Sequence, residues 1–199
     1  MSKIFSFDGW YYRTFTFLTN LILVNFLFLL TAGTVVLLGP GLVALYKTVY
    51  KLYRERDISA VKTFGIFLKD NLVRGFYLTA IMVTWLGLMA ASMFFLFNIS
   101  IQLSILAIIL FSLATLSLSV FTILYSLFSL NVKETFNEMS YVVLSSSANA
   151  IILFIIPVFV FAICLKINLF LLLSLGIAMA SLLQIMFFVK VLEVQDESI

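Results

Sequence analysis

Histidine is absent from this sequence, cysteine occurs once, and only 11% of the residues are charged. The single cysteine, Cys164, cannot form an intrachain disulfide, and no His/Cys cluster can hold a metal ion. The sequence also contains no phosphate-binding glycine loop and no spacing typical of a nucleophile with its base. We therefore expect no catalytic residue, no cofactor, no metal site and no enzymatic activity, and we interpret Cys164 as a small buried apolar side chain.

Charge is also missing from the long apolar stretches. All nine acidic residues lie outside them, whereas 64% of the chain is hydrophobic and its mean hydropathy is +1.22. A soluble domain is only about 45–50% apolar, so the lipid bilayer must surround much of this chain. No basic domain stands apart from the apolar part, which excludes nucleic acid as a partner. The lack of intramembrane acids also weakens the case for an ion-coupled transporter.

Four uninterrupted apolar runs approach or exceed the length of about 20 residues that crosses a bilayer. Short connectors join them in pairs, so we expect two helical hairpins, at about 76–130 and 148–192. With a broken helix pair at about 15–54, they predict an all-α, polytopic membrane helix bundle of five or six transmembrane helices, in a single membrane domain over 1–199. The runs are Phe76–Phe97, Leu103–Leu130, Ala148–Leu165 and Ile167–Leu192.

Basic residues are concentrated in one connector. The segment Tyr46–Gly75 holds seven of the twelve lysines and arginines, and loops of this kind favour the cytoplasmic side of a membrane. We therefore expect this segment and the C-terminus to be cytoplasmic. The N-terminal stretch MSKIFSFDGWYYR has no cleavable-signal layout, and Trp10–Tyr12 is typical of an interfacial aromatic belt.

Two of the connectors expected in the cytoplasm carry amphipathic patterns. Apolar residues recur at helical spacing over Ile58–Leu72 and again over Val132–Val143. Asn131, followed three residues later by Glu134, resembles a capping box at the start of the second stretch. We expect both helices to lie in the membrane interface. The alternative is that they form a docking surface for a protein partner.

The stretch LTAGTVVLLGPGLVALYK, residues 30–47, interrupts the first apolar region. Pro40 has no amide hydrogen and suits the first turn of a helix, and Gly39 permits the dihedral angles needed just before it. One helix should end near or before Gly39, and another should begin near Pro40. Gly39, Pro40 and Gly41 are therefore the candidate structural or functional break.

Two interpretations of this break remain open. In the first, Phe15–Leu38 spans the bilayer, the break lies at the cytoplasmic face, and the bundle has five spans with an outer N-terminus. In the second, the first helix turns near Ala32-Gly33 and the chain returns as a second helix from about Gly39 to Arg54, which gives six spans and an inner N-terminus. The second interpretation, which we favour, places Lys47 and Lys51 toward the inner face, where long side chains snorkel.

Polar residues within the apolar runs are the candidate functional groups. Asn20 and Asn25 should face protein, since an unbonded amide is costly in lipid, and they could bond carbonyl groups freed near the break. Ser119 and Thr122 belong to a hydroxyl stripe on one helical face, which predicts a packing seam; its alternative is a hydrated path for a polar solute. The stripe is Ser112, Thr115, Ser119, Thr122, Ser126 and Ser129; matching small residues are Ala80, Thr84, Gly87 and Ala91 on the preceding run, and Gly176 and Ala180 on the last.

The first 80 or so residues resemble a known family. They contain LTNLILVNFLFLLTAGTVVLLGPGLVALYKTVYKLYRERD, followed by FGIFLKDNLVRGF. The asparagines of the first helix, the Gly-Pro pair, the charged turn and the aromatic segment together resemble the YesL-like family of bacterial membrane proteins, whose function is unknown. Members often have proline where this chain has Ala32. The residues that carry the resemblance are Asn20, Asn25, Gly39, Pro40, Ala44, Leu45, Tyr46, Arg54, Asp57, Phe64, Phe67 and Asn71.

The resemblance implies a small multi-pass protein of the bacterial plasma membrane, and some family members occur beside genes for carbohydrate uptake. We expect a non-enzymatic accessory to a membrane system, such as one for carbohydrate uptake, that binds a membrane protein partner or a second copy of itself. The alternative is a small oligomeric transporter or channel for a polar solute, with the Gly39–Gly41 break and the hydroxyl stripe along its path.

Overall fold

The computed structural model describes residues 10–56, 58–97 and 100–196, and these residues form eight helices and no β-strand. The N-terminal residues 1–9, Asp57, part of the connector at 98–99, and residues 197–199 lie outside the described part. The helices are α1 (Trp10–Ala32), α2 (Leu38–Glu55), α3 (Ala60–Asp70), α4 (Leu72–Phe97), α5 (Ile101–Leu127), α6 (Val132–Ser145), α7 (Ser147–Ile167) and α8, in which Leu169–Leu171, the π-helical turn Leu172–Gly176 and Ile177–Asp196 follow one another.

The prediction of an all-α membrane bundle is confirmed. Five of the described helices, α1, α4, α5, α7 and α8, are long and apolar enough to cross a membrane. The chain is therefore a multi-pass membrane protein. α2 is not one of the five because it carries charged residues, among them Lys47 and Lys51. It lies inside the bundle instead.

The chain reverses between α1 and α2, as the second interpretation of the break predicts. α1 ends at Ala32, and α2 begins at Leu38, which puts Pro40 in its first turn. The helix bounds of the first interpretation, Phe15–Leu38, are therefore wrong, since the chain leaves the helical conformation before Leu38. Its count of five spans equals the number of described apolar helices, whereas the second interpretation expects six. Gly41 of α2 faces Thr31 of α1 across the reversal.

Successive long helices run in opposite directions. α2 is antiparallel to α4, because Gly39 bonds Thr79 while Lys47 bonds Asn71. In the same way, α7 and α8 are antiparallel and joined by a short turn at Asn168. The C-terminal half of α2, the helix α3, the start of α4 and the end of α5 consequently lie together, and we call this region the basic end of the bundle.

α2 forms the centre of the packing. Val43, Leu45, Val49 and Leu52 are all fully buried and belong to one continuous hydrophobic core with residues of α1, α4, α5 and α8. Burial of such side chains is worth about 1.5–3 kcal/mol each relative to exposure in water, and within lipid the close packing itself provides the stabilisation. A helix too polar to face acyl chains is thereby enclosed by protein.

The two amphipathic stretches form the short helices α3 and α6. At the start of α6, the Glu134 carboxylate accepts the Asn131 N–H at 2.8 Å, as expected for a capping box. Phe64 of α3 and Met139 of α6 are buried, whereas Phe136 of α6 remains exposed. The apolar face predicted for α6 is therefore only partly covered by the chain.

The packing seam predicted on α4 is wrong. Ala80, Thr84, Gly87 and Ala91 are exposed, and a Cβ atom on Gly87 would meet nothing within 4 Å. Only 6% of the most apolar part of α4 is buried, against 44% for α8. The start of α2 bonds α4 at Thr79, and about 27 Å of α4 runs on beyond Thr79 at 1.5 Å per residue. The small residues of α8 behave as predicted, since Gly176 and Ala180 are buried near α7.

Candidate functional site

A proline inside α7 leaves one carbonyl group without its helical partner. Pro157 has no amide hydrogen, so the carbonyl of Leu153, four residues earlier, cannot receive the usual backbone bond. Gln184 of α8 donates to this carbonyl from Nε2 at 2.8 Å. Both residues are buried, so this side chain satisfies a group that neither water nor lipid could reach.

The same amide of Gln184 joins two further helices. Its Oε1 accepts the hydroxyl of Tyr46 in α2 at 2.6 Å, and its Nε2 lies 3.4 Å from Oγ of Ser119 in α5. Four helices, α2, α5, α7 and α8, therefore meet at one side chain. Because an unpaired amide is costly in an apolar medium, these bonds fix the positions of the four helices relative to one another.

Asn25 forms hydrogen bonds with two backbone groups of a second irregular helix, α8. Its Nδ2 donates to the carbonyl of Leu173 at 2.7 Å, and its Oδ1 accepts the N–H of Ala178 at 2.9 Å. These two backbone groups are five residues apart, which is the spacing of a π-helical bond. The fully buried side chain of Asn25 thus stands between a donor and an acceptor of the π-helical region of α8. Asn25 faces protein as expected, but its partner is α8 and the expected partner near the break is wrong.

Asn20 lies apart from these contacts. Its Nδ2 donates to the carbonyl of Ile58, between α2 and α3, at 3.3 Å, and its side chain is half-buried. This hydrogen bond connects α1 to the basic end of the bundle. The structure therefore does not bring the two candidate asparagines together at one site.

The Gly39–Gly41 break is a contact between helix backbones. The N–H of Gly39 donates to Oγ1 of Thr79 at 2.9 Å, and a Cβ atom on Gly39 would overlap the carbonyl oxygen of Gly75. None of the described glycines has a positive φ. The prediction that Gly39 supplies special dihedral angles is therefore wrong, and its missing side chain instead allows α2 to touch α4. Gly41 has the same role toward Thr31 of α1.

A cavity of about 270 Å³ lies beside Gln184 and is lined by residues of α2, α4, α5, α7 and α8. Ser119 and Thr122, the two candidate hydroxyls of the stripe, both line it. None of the residues that line it is charged, and most are apolar. The hydroxyl of Thr122 donates to the carbonyl of Leu118 in its own helix at 2.8 Å. The cavity can accommodate a small uncharged polar molecule, with the Gln184 amide as its most polar wall.

A sequence profile described as "Protein of unknown function, DUF624" matches residues 21–93. Over this region the chain resembles the DUF624 family. The match confirms the family resemblance predicted from the sequence for the first part of the chain. No curated protein and no solved structure gives a significant match to the chain.

The DUF624 region covers only part of the candidate site. It includes Asn25, the Gly39–Gly41 break and Tyr46, together with Gly75 in α4. It ends within α4, so Gln184 and the stripe residues of α5 lie outside it. The contact between the break and Gly75 is therefore a property of the matched region, whereas the bonds of Tyr46 and Asn25 reach from that region into α8.

The hydroxyl stripe of α5 is buried only in its middle. Thr122 and Ser126 are buried, but Ser112 is exposed, and Ser129 is exposed beyond the end of the helix. Several of the hydroxyls donate to carbonyl groups of α5 itself, for example Ser112 to Ile108 at 2.8 Å. Hydroxyls in helices commonly bond in this way. The stripe is therefore no continuous polar path through the described part of the bundle.

Gln184, Pro157 and Gly75 were not recognised as site residues in the sequence. The signal for Gln184 was available, since it is an amide within the run Ile167–Leu192 and is as costly in lipid as Asn20 or Asn25. Pro157 within the run Ala148–Leu165 likewise indicated a free carbonyl group. In the part of the chain that the structure describes, no three Asp, Glu or Cys side chains come together to hold a metal ion.

Proposed function

We propose that this protein is a non-enzymatic accessory that binds a membrane protein partner through the uncovered side of α4. The observation that carries the proposal is the exposed line of small residues Ala80, Thr84, Gly87 and Ala91. Small residues on a transmembrane helix allow a second helix to approach closely. Nothing lies within 4 Å of the Cβ position of Gly87, whereas Ala80 and Thr84 also line a groove toward α5 and α6. A transmembrane helix of a partner fits the exposed line.

The interior of the bundle supports an accessory role. The amides of Asn25 and Gln184 are bonded to backbone groups of neighbouring helices, which makes them structural. Thr122, a candidate hydroxyl that lines the cavity beside Gln184, is bonded within its own helix. Groups engaged in this way are not free to bind a substrate or to transfer protons. The polar interior thus favours a structural role for these groups, and binding of a partner would use the outer surface of the bundle.

The resemblance to YesL-like proteins suggests the class of partner and the membrane. Some of those proteins accompany genes for carbohydrate uptake, so the proposed partner is a transmembrane subunit of such an uptake system. The bacterial plasma membrane is the proposed location. With Tyr46–Gly75 in the cytoplasm by the positive-inside rule, the described C-terminal end, which lies on the same side of the bundle, is cytoplasmic as well.

Site-specific crosslinking tests the proposed surface. A photo-crosslinking amino acid in place of Gly87 should yield one adduct that contains a subunit of a carbohydrate uptake system, identified by mass spectrometry from native membranes. Gly87→Leu should lower co-purification of that subunit at least tenfold, the factor that corresponds to about 1.4 kcal/mol. The leucine has room in the free protein, since nothing lies within 4 Å of the Gly87 Cβ position.

Gly65 on α3 provides the matched control, because a Cβ atom there also meets nothing within 4 Å. The crosslinker at Gly65 should give no such adduct, and Gly65→Leu should leave co-purification unchanged. An adduct at Gly87 with twice the mass of this chain would instead identify a second copy as the occupant and would contradict the proposal. Equal adducts from both positions would show that α4 is not a specific surface.

The cavity beside Gln184 favours a second candidate function, a small oligomeric transporter or channel for a polar solute. Its size suits a small molecule, and Ser119 and Thr122 line it. A broken region of helix can bind a substrate through backbone groups. On this alternative the solute passes through the cavity, beside Ser119 and Thr122 of the α5 stripe.

Flux through reconstituted vesicles decides this alternative. If the cavity conducts, the double variant Ser119→Val with Thr122→Val should abolish uptake of small uncharged polyols, because its wall loses two hydroxyls. The control is Ser112→Val, which changes an exposed residue of the same stripe. A folded double variant with the same flux as the unaltered protein, or no flux above that of empty vesicles in either, eliminates the transporter.

A further inference from the structure

Arg74 joins the start of α4 to the end of α5. Its Nη2 donates to the carbonyl groups of Tyr125 at 2.5 Å, of Leu130 at 3.1 Å, and of Phe128. The guanidinium carbon lies 4.3 Å from the centre of the Tyr125 ring, and the Tyr125 hydroxyl donates back to the Arg74 carbonyl at 3.3 Å. A cation at this place also suits the negative end of the α5 dipole.

The partners of Arg74 carry no full negative charge. Within the described residues no carboxylate forms an ion pair with it, and its Nε atom is buried without a hydrogen-bond partner. Lys47 lies close enough to repel it, and the Lys47 ammonium bonds the neutral Oδ1 of Asn71 at 2.8 Å. The carboxylate of Asp70 offsets part of the positive charge of Lys47. The carbonyl groups and the helix dipole carry only partial charges, so Arg74 and Lys47 together retain a net positive charge that attracts an anion.

A groove of about 670 Å³ opens between α4, α5 and α6. Its walls are almost entirely apolar, with Trp85 of α4, Phe121 of α5 and Met139 of α6 among them, and none of its residues is charged. Its volume falls within the range of about 300–1,000 Å³ that is usual for small-molecule sites. Because α4 is exposed along this side, an acyl chain can enter the groove from the bilayer.

Arg74 precedes the groove residues along α4. Arg74, Ile81 and Leu88 follow one another at intervals of seven residues and so lie on about the same face of α4; Ile81 and Leu88 both line the groove. The Arg74 guanidinium contacts the Tyr125 ring. The same ring stacks on the Phe121 ring with 5.5 Å between ring centres. From Arg74 to Leu88 the helix rises about 21 Å, enough for a headgroup and the roughly 15 Å of hydrocarbon in one leaflet.

We propose that Arg74 and the groove together bind one anionic phospholipid, with its phosphate at Arg74 and one acyl chain between α4 and α5. The Arg74 guanidinium attracts the anionic headgroup, and the apolar walls of the groove contact the acyl chain. The site shares Ala80 and Thr84 with the proposed partner surface, which continues to Gly87 and Ala91 farther along α4. Bound lipid would fill space between α4, α5 and α6 that the chain itself leaves open.

Photolabelling in nanodiscs tests this site. The probes are phosphatidylglycerol and phosphatidylcholine that carry the same diazirine-containing acyl chain. Phosphatidylglycerol should label peptides over residues 80–88 and 114–121 about fivefold more than phosphatidylcholine, the factor for about 1 kcal/mol of attraction between one basic side chain and anionic lipid. Ala114→Phe places a ring in the groove and should abolish this labelling. Ser117→Phe, at another position in the wall, provides the same test if the first variant does not fold.

Ala162→Phe is the control, because Ala162 is exposed on α7 and is not part of the groove; labelling should persist in that variant. Inorganic phosphate should not compete with the lipid probe, since it lacks the acyl chain, and effective competition would indicate a site for free anions and overturn the proposal. Equal labelling by both lipids, unchanged labelling in the folded groove variants, or labelling spread evenly over all five apolar helices would also overturn it.

Discussion

Gly75→Ala should destabilise the bundle by about 3 kcal/mol or more, which is the upper range for overpacking. A Cβ atom on Gly75 would lie 2.6 Å from Cγ of Pro40 and closer still to its N and Cα atoms. Backbone atoms of α2 cannot rotate out of the way as a side chain can. The added methyl group must therefore separate α2 from α4, which also breaks the bond from Gly39 N–H to Thr79.

Unfolding in mixed micelles of a mild detergent and sodium dodecyl sulfate measures this effect. Gly87→Ala and Gly65→Ala are the controls, because both glycines lie in helices and have open space around the Cβ position. Each control should leave stability unchanged or raise it by up to about 1 kcal/mol, since alanine is the better helix former. If Gly75→Ala unfolds at the same detergent fraction as these controls, α2 and α4 do not touch as described.

The start of α2 could be predicted from the sequence, whereas the reason for its glycines could not. Pro40 marks the first turn of a helix by its own chemistry, and the structure places it there. The use of Gly39 depends on Gly75, which belongs to another helix. A close backbone contact depends on two helices, and the sequence of one helix does not indicate which residue of another helix it will contact. Local chemistry therefore indicated dihedral freedom, which the structure does not use.

The burial of Asn25 was predictable because an amide in lipid needs partners. The identity of those partners was not, since a π-helical turn in an apolar stretch leaves no mark in the residue pattern. The burial of Gln184 was predictable for the same reason as that of Asn25. Its bond to Leu153 follows from Pro157, but only once α7 and α8 are known to be neighbours.

The exposure of α4 was the largest departure from expectation. A line of small residues predicts that a helix packs on it, and on α4 such a line is exposed. The start of α2 bonds α4 at Thr79, and the line of small residues lies beyond that point of α4. The sequence pattern predicted a packing seam between helices of this chain, and for α4 that prediction was wrong.

Gln184→Leu is expected to cost about 2 kcal/mol, because it leaves the Tyr46 hydroxyl and the Leu153 carbonyl buried without partners, at about 1–3 kcal/mol for such groups. The cost should depend on Pro157. In a Pro157→Ala background the new amide hydrogen can bond the Leu153 carbonyl within α7, so only Tyr46 loses its partner. Gln184→Leu should then cost about 1 kcal/mol less than it does beside the proline, within the range measured for hydrogen bonds between membrane helices.

A double-mutant cycle over these two positions measures that coupling directly. The four proteins are unfolded in mixed micelles, and the difference between the two costs of Gln184→Leu gives the interaction free energy. Gln102→Leu is the matched control, since Gln102 is exposed at the start of α5, and its cost should be within about 0.5 kcal/mol of zero in either background. A cost of Gln184→Leu that is the same with and without Pro157 would mean that the amide does not compensate the proline. The position of α8 against α7 would then rest on apolar packing alone.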